Sequence, residues 1–289
     1  MFVKIFQSIK NNKQFQNFSI YGIGQLFNLI TPLLIAPYII KLCGEEGFGK
    51  AVIGLSFAFI LTVLVDFASG INGVKEISVN RNQPEIVQSI ATTLFSIKLI
   101  SLFIVLLISS ILIFNISFLY QEKELFFLSL IILVSQALNP TWFLQGIENV
   151  KWITLLNIVS KCIYLVGIFF TIKKESDYIY VNLWWGLGMI VSNFLVFIWI
   201  IKKYQFSFLM VNKDEVFKHI RNDFSMFSSQ IFVSLQLYAP VVLISYFGSN
   251  LMAGQYRIVE QIIVVFKTYI FLFFNYVKID LISSFISYS

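Results

Sequence analysis

Hydrophobic residues in this chain run in long, nearly unbroken stretches that are separated by short polar clusters. A helix of about 18 or more apolar residues rises 1.5 Å per residue and can therefore cross the ~30 Å hydrocarbon core of a membrane. The pattern predicts eight such spans, at about 17–41, 51–70, 89–114, 125–145, 152–172, 179–201, 223–247 and 252–277. The predicted fold class is an all-α integral membrane protein.

Composition supports this prediction. Of the 289 residues, 58% are hydrophobic and only 12% are charged, whereas soluble domains carry about 25% charged residues. A net charge of +6 could indicate a nucleic-acid partner in a soluble protein. In a membrane protein the same charge bears on orientation instead, and no nucleic-acid partner is expected.

Orientation follows from where the basic residues fall between the predicted spans, because cytoplasmic loops carry an excess of Lys and Arg. With the N-terminus in the cytoplasm, twelve cations lie on the inner side: Lys4, Lys10, Lys13, Lys75, Arg81, Lys151, Lys202, Lys203, Lys213, Lys218, Arg221 and Lys278. Five lie on the outer side: Lys41, Lys50, Lys123, Lys173 and Lys174. Both ends of the chain are therefore predicted to face the cytoplasm.

The first and seventh predicted spans share a spacing that indicates an internal repeat. In each, a Gln is followed 18 or 19 residues later by a Gly and, five or six residues on, by another. These residues are Gln25, Gly44 and Gly49 in the first span and Gln230, Gly248 and Gly254 in the seventh. We predict two repeats of the same orientation: a six-helix lobe at 1–201, a basic cytoplasmic linker at 202–222, and the first two helices of a truncated second lobe at 223–289.

Four cations fall within predicted spans: Lys98, Lys161, Arg257 and Lys267. A cation that faces lipid costs about 2.5–3.5 kcal/mol, so each is expected to face a cavity or a partner. Lys98 and Lys161 each lie roughly 14 Å from the inner end of a span, and Lys267 lies at a similar depth. Three lysines at one depth suggest a cationic belt around a lumen. The alternatives are snorkelling toward the headgroups or pairing with Asp66 or Glu260.

Two acids fall within spans as well. Asp66 lies near the inner end of the second span, where an ion pair with Lys75 or Arg81 of the next loop is expected. Glu260 follows Arg257 by three residues on one helical face, which predicts a structural pair. An alternative role for either acid is to carry a proton in coupled transport.

Polar residues recur on one face of two predicted helices. Gln25 and Asn28 share a face of the first helix, and Gln230 has a similar place on the seventh. Such a face lines a water-filled lumen or hydrogen-bonds to neighbouring helices, and the sequence leaves both interpretations open.

The sequence does not indicate enzymatic chemistry. Cys43 falls in a loop and Cys162 inside a helix, so we expect neither a disulfide nor a metal site. His219 stands alone in a polar loop and is interpreted as a solvated surface residue. The stretch "GEEGFGKA" matches a phosphate-binding loop by letters but lacks the preceding strand and the hydroxyl residue after the Lys. We expect no cofactor, no metal and no catalytic residue.

The turn between the fourth and fifth spans reads "NPTWFLQGIENVKW". Pro140 is expected to kink the chain, and Gly146 is expected to close a helix in the left-handed conformation. Trp142 and Phe143 are expected to anchor the turn at the membrane interface.

This turn also carries a family resemblance. "WFLQGIENVKWITLLNIVSKCIYL" resembles the W-F-x-Q-G-x-E segment and the following N-x-x-x-K helix of bacterial polysaccharide flippases of the Wzx type, which translocate O-antigen and capsule repeat units. Further similar stretches, in family order, are "APYIIKLCGEEGFG", "LVDFASGINGVKEISVNR" and "FSSQIFVSLQLYAPVVLISYFGSNLMAGQYRIVEQI". Members of this multidrug/oligosaccharidyl-lipid/polysaccharide exporter superfamily have twelve or more helices in two bundles, whereas this sequence has eight predicted helices.

The resemblance implies a flippase that moves undecaprenyl-diphosphate-linked oligosaccharide repeat units from the cytoplasmic to the outer leaflet, by alternating access, for O-antigen, lipopolysaccharide or capsule synthesis. Lys98, Lys161, Lys267 and Arg257 are then candidates to hold the diphosphate, because point cations attract phosphate oxygens without demanding one geometry. The implied partners are the lipid-linked substrate, membrane lipids, a polysaccharide polymerase and a chain-length regulator, in the bacterial inner membrane.

Three alternatives stay open. A membrane polymerase or glycosyltransferase would be expected to carry a large outer loop, which the predicted topology lacks. A drug or cation antiporter of the same superfamily would be expected to have a carboxylate in the first helix, and there is none. The third alternative is an inactive, truncated flippase.

Overall fold

In the computed structural model, every regular element of the described residues, 13–204 and 213–287, is a helix. Side chains are described within 20–204 except Tyr21, and within 213–270 except Tyr269. The helices are α1 Lys13–Asp66, α2 Val74–Asn80, α3 Pro84–Asn115, α4 Ser117–Gln121, α5 Lys123–Ser129, α6 Ile131–Ala137, α7 Thr141–Gly146, α8 Val150–Thr171, α9 Tyr180–Tyr204, α10 Lys213–Phe247 and α11 Asn250–Ser287. A π-helical turn at Ser69–Gly73 and a 3-10 turn at Glu175–Ile179 join some of them.

The predicted all-α membrane fold is confirmed. Within the described residues, six helical segments are long and apolar enough to cross a membrane. The longest, Gly22–Asp66, covers most of both the first and the second predicted spans, at 17–41 and 51–70. It bends at Gly44, whose φ of 75° and ψ of 166° suit a residue without a Cβ. The eighth predicted span lies within α11, which continues to Ser287.

The segment Lys123–Gly146 departs from the single helix predicted at 125–145, because it is broken into α5, α6 and α7. Pro140, which has no backbone N–H to donate, sits at the last break. The prediction for Gly146 was wrong: Glu148, with φ 57°, takes the left-handed conformation instead. Gly146 serves close packing, since a Cβ there would lie 2.6 Å from the Ile77 side chain.

The interface anchor predicted at this turn is also wrong. Trp142 and Phe143 are buried within the protein. The Trp142 ring lies 5.3 Å from the Phe95 ring, and the Phe143 ring lies 5.0 Å from that of Tyr204. Contacts between aromatic rings therefore hold this motif in the core between α3, α7 and α9.

α1 is the central element of the bundle, and it packs against α8, α10 and α11. Its bend at Gly44 and its C-terminal residue Asp66 mark opposite ends of the bundle, which we call the Gly44 end and the Asp66 end. One large apolar cluster includes Ile35, Phe126 and Ile168. A second cluster, which contains Phe95, Trp142 and Phe143, packs around α7.

α10 begins earlier than expected. The predicted linker at 202–222 is helical from Lys213 onward, and its residues 205–212 lie outside the described part of the chain. Asp214 and Glu215 occupy the first turn, where acidic side chains stabilise the positive end of the helix dipole. The polar first ten residues of α10 therefore extend the helix beyond the apolar span predicted at 223–247.

Two glycines allow α1 and α11 to touch. A Cβ on Gly254 would lie 3.2 Å from the Cα of Gly49, and a Cβ on Gly49 would overlap the carbonyl oxygen of Asn250. Small residues permit such close backbone approach between membrane helices. Gly49 and Gly254 are also the paired positions of the predicted repeat, so the two segments compared in that prediction meet at these residues.

Candidate functional site

A cavity of about 240 Å³ lies where the two halves of α1 meet α8, α9 and α11. Most of its wall is apolar and comes from α1, between Asn28 and Phe59. The polar side chains in the wall include Asn28, Asn182, Arg257 and Gln261. Mostly apolar walls with a few convergent polar groups are typical of ligand-binding cavities, so this cavity is the candidate functional site.

Aromatic side chains form one side of the cavity. Trp185 of α9 lies with its ring centroid 5.1 Å from that of Tyr164 on α8 and 6.0 Å from that of Phe59 on α1. Both contacts are edge-to-face, which is a favourable arrangement for aromatic quadrupoles. The three rings therefore hold one another in place across three different helices.

Asn182 fixes α9 at this position. Its side-chain amide nitrogen donates to the carbonyl oxygen of Ala51 at 2.9 Å and to the Ser129 hydroxyl oxygen at 2.8 Å. Inside a membrane protein such hydrogen bonds replace those that water would otherwise supply. One buried side chain thus connects α9 to both α1 and α5 beside the cavity.

Arg257 brings a positive charge to the cavity wall from α11. Its guanidinium Nη1 donates to Glu260 Oε2 at 2.6 Å, which is the structural pair that the spacing of three residues predicts. The guanidinium carbon also lies 5.9 Å from the ring centroid of Tyr238 on α10. α11 therefore contributes an ion pair to a cavity built mainly by α1, α8 and α9.

Lys161 lies immediately behind the aromatic side of the cavity. Its Nζ is 3.2 Å from the ring centroid of Trp185, a cation–π contact, and the residue is only 4% exposed. Among the described residues no carboxylate forms an ion pair with it. This burial argues against snorkelling.

Lys98 pairs with Asp66, which is one of the alternatives that the sequence left open. Its Nζ lies 3.0 Å from Asp66 Oδ1 and also donates to the Asn139 carbonyl at 3.4 Å. The expected pairing of Asp66 with Lys75 or Arg81 is wrong, and Arg81 instead pairs with Glu148. Spacing favoured the nearby loop cations, whereas the folded chain brings together residues 32 positions apart.

The remaining predicted site residues lie in varied surroundings. Lys267 is exposed on α11, whereas Lys98 pairs with Asp66 and Lys161 contacts the Trp185 ring. Asn28 lines the cavity, whereas Gln25 and Gln230 are partly buried on α1 and α10. The sequence prediction missed Phe59, Tyr164 and Trp185. The one available signal was Asn182, a polar residue three positions before Trp185 in an apolar helix.

Comparison with known proteins identifies relatives over nearly the whole chain. The family model described as "Polysaccharide biosynthesis protein" matches residues 15–285. A protein of Shigella dysenteriae named "Putative O-antigen transporter" is 20% identical over 85% of this chain, and one of Escherichia coli (strain K12) with the same name is 21% identical over 81%. The chain spans about 60% of the first relative and 57% of the second.

One solved structure, described as "protein A", has the same fold. It superposes with a TM-score of 0.66 at 17% identity, covering 86% of this chain and 60% of that one. At this identity the likeness concerns the fold alone.

Proposed function

Since the chain belongs to the polysaccharide biosynthesis protein family, we propose that it takes part in the export of a bacterial polysaccharide as a multi-pass membrane flippase. The proposed substrate is an undecaprenyl-diphosphate-linked oligosaccharide repeat unit, which moves from the cytoplasmic to the outer leaflet for O-antigen or capsule synthesis. The names of both curated relatives as transporters support a non-enzymatic role. The structural observation that carries the proposal is the cavity between the first lobe and α11.

The chemistry of the cavity suits a glycan that carries phosphate. Aromatic rings such as Trp185 and Tyr164 offer flat apolar faces with polar edges, which match the apolar faces and hydroxyl edges of a sugar ring. The guanidinium of Arg257 can donate two parallel hydrogen bonds to phosphate oxygens. Lys161 adds a positive charge behind Trp185, and a low-dielectric surrounding strengthens its attraction for an anion.

The contacts between α1 and the second-lobe helices support alternating access. Ser234 of α10 donates to the Phe59 carbonyl at 3.4 Å, and Gln261 of α11 donates to the Leu29 carbonyl at 3.4 Å. Both hydrogen bonds are long, and each joins a second-lobe helix to a different half of α1. A junction held by long hydrogen bonds and small residues can rearrange at modest cost.

The orientation and the partners are part of the same proposal. The excess of predicted inner cations supports an orientation in which the Asp66 end faces the cytoplasm. The proposed location is the bacterial inner membrane. A polysaccharide polymerase and a chain-length regulator are the proposed partners, since exported repeat units must then be joined. Membrane lipids surround the apolar helices.

The proposal is tested by removing the charge of Lys161 in the complete protein. Lys161→Gln should lower export of repeat units about 10-fold, because losing one unit charge near the phosphate in a surrounding of low dielectric costs on the order of 1–2 kcal/mol. Lys161→Arg should retain part of the activity. The measurement is the amount of lipid-linked repeat unit that accumulates in the inner leaflet of cells in which the variant is the sole copy.

The matched control is Lys202→Gln, which removes an exposed cation near the end of α9. It should export like the wild type. Normal export by Lys161→Gln at normal protein levels would contradict the proposed role of Lys161. Normal polysaccharide and no accumulated repeat unit in cells without the gene would contradict the proposed function itself.

A further inference from the structure

At the Asp66 end, the first lobe meets the start of α10 through a set of polar contacts. Asn72, in the π-helical turn after α1, donates from Nδ2 to Asp223 Oδ1 at 2.6 Å. Beside this hydrogen bond, the rings of Phe67 and Phe227 stack with their centroids 4.5 Å apart. We call the polar group the Asp223 seam, and it consists of Asn72, Glu76, Ser89, Glu215, His219 and Asp223. It joins the two lobes through residues that are 151 positions apart.

His219 lies between two carboxylates of this seam. Its Nδ1 is 3.8 Å from Glu76 Oε1 on α2 and 3.9 Å from Asp223 Oδ2 on its own helix. The His219 side chain is only 18% exposed, so the prediction of a solvated loop residue is wrong. An imidazolium at this position would place one positive charge between a carboxylate of each lobe, whereas a neutral imidazole would remove that shared charge.

Acidic groups dominate the surroundings of His219. The charged residues that face this region are Lys75 and Glu76 from α2, Glu85 from α3, and Glu215, Lys218 and Asp223 from α10. Glu215 also accepts hydrogen bonds from Ser89 at 3.0 Å and Thr93 at 3.4 Å, which ties α10 to α3. Four carboxylates against two lysines give the seam an excess of negative charge when His219 is neutral.

The seam is reachable from outside the protein. A cavity of about 480 Å³ lies beside it, and Glu76, Glu85, Glu215 and His219 line that cavity. Its volume holds several water molecules, since one water occupies about 30 Å³ in the liquid. A proton can therefore pass between His219 and water without the helices having to separate first.

We infer that His219 binds the proton that holds the two lobes together at the Asp66 end of the protein. With the proton bound, the imidazolium bridges Glu76 and Asp223, and α10 stays packed on the first lobe. When the proton leaves to water, the two carboxylates and Glu215 repel one another, and the seam opens. The inference rests on the proposed function, in which opening at this end admits the substrate from the cytoplasm.

The test measures the width of the seam as a function of pH. Spin labels are attached to cysteines at Val79 on α2 and Phe217 on α10, which are 74% and 68% exposed. The native thiols are removed by Cys43→Ala and Cys162→Ala in the complete protein in lipid. Pulsed electron resonance should give one short distance at about pH 6 and a distance several ångströms longer at about pH 8.5. Measurements below about pH 6 are avoided. Burial raises the pKa of the Glu76 carboxyl, so acid would protonate this group and remove its charge.

Two substitutions assign the response to His219. His219→Gln should give the long distance at both pH values, because the neutral side chain carries no positive charge to offset the repulsion between the carboxylates. His219→Lys carries a permanent cation and should give the short distance at both. Arg221→Gln, which removes an exposed cation two residues away on α10, should retain the wild-type shift.

The outcomes separate this inference from the proposed function. A label distance that does not change with pH in the otherwise wild-type protein overturns the inference, and so does a normal pH response in His219→Gln. The distance measurement needs no substrate. An intact pH response without glycan export therefore rejects only the proposed function, and normal export with a constant distance rejects only the role of His219.

Discussion

Asp66→Ala is expected to destabilise the protein by about 3–5 kcal/mol, because it would leave the buried ammonium of Lys98 without its counter-charge. Lys98 is only 1% exposed and reaches Asp66 at 3.0 Å. The same carboxylate also accepts hydrogen bonds from Gln136 at 2.9 Å, from the Ser69 hydroxyl at 2.9 Å and from the Gly70 N–H at 3.1 Å. A single substitution therefore leaves four donors without their acceptor.

The effect should be visible as a lower midpoint of thermal unfolding in detergent and as less protein in the membrane. Glu124→Ala is the matched control, since it removes an exposed carboxylate from α5. It should change the stability by less than about 0.5 kcal/mol. If Asp66→Ala and Glu124→Ala unfolded at the same temperature, the ion pair would contribute nothing and this account of it would be wrong.

A double variant separates the charge of the pair from the shape of the site. In Asp66→Asn combined with Lys98→Met, the buried charges disappear together, and the amide oxygen can still accept from Ser69 or Gly70. Replacing both members of a buried ion pair is often close to neutral. The double variant is therefore expected to be more stable than Asp66→Ala, and a cycle with Asp66→Asn and Lys98→Met as the single variants gives the coupling between the two residues.

The membrane makes most of this fold predictable from the sequence. Without water in the hydrocarbon core, backbone groups must be satisfied within each segment, so long apolar runs become helices. The run at 89–114 accordingly lies within the helix Pro84–Asn115, and the run at 152–172 matches the helix Val150–Thr171 to within two residues at each end. The early start of α10 at Lys213 was not predictable in the same way, because a polar helix outside the membrane has no hydrophobicity signal.

The candidate site was predictable only in part. Because burying a charged side chain in the membrane costs free energy, Lys161 and Arg257 each need a partner or a cavity. Such residues are easily recognised in an apolar span. Trp185 and Phe59 carry no such signal in a chain in which 17% of the residues are aromatic. The pairing of Lys98 with Asp66 was one of the alternatives that the sequence left open, but the sequence could not select it, since hydropathy gives depth in the membrane and says nothing about which faces of two helices meet.

Replacing glycine by alanine is expected to have opposite effects on stability at two positions of α1, Gly49 and Gly22. Gly49→Ala should destabilise the protein by about 1–3 kcal/mol, because its Cβ would overlap the carbonyl oxygen of Asn250 and the helices would have to separate. Gly22→Ala should be neutral or stabilise by up to about 1 kcal/mol. No atom lies within 4 Å of a Cβ at Gly22, and Ala favours a helix over Gly.

Both variants are compared by thermal unfolding, and the separation of α1 from α11 is followed by the rate of disulfide formation between cysteines at Glu45 and Gln255. These side chains already meet at 3.4 Å at the Gly44 end. Cross-linking should slow in Gly49→Ala and stay unchanged in Gly22→Ala, because only the first pushes the two helices apart. Equal unfolding temperatures and equal cross-linking rates in both variants would mean that the close approach of Gly49 to α11 does not hold the two lobes together.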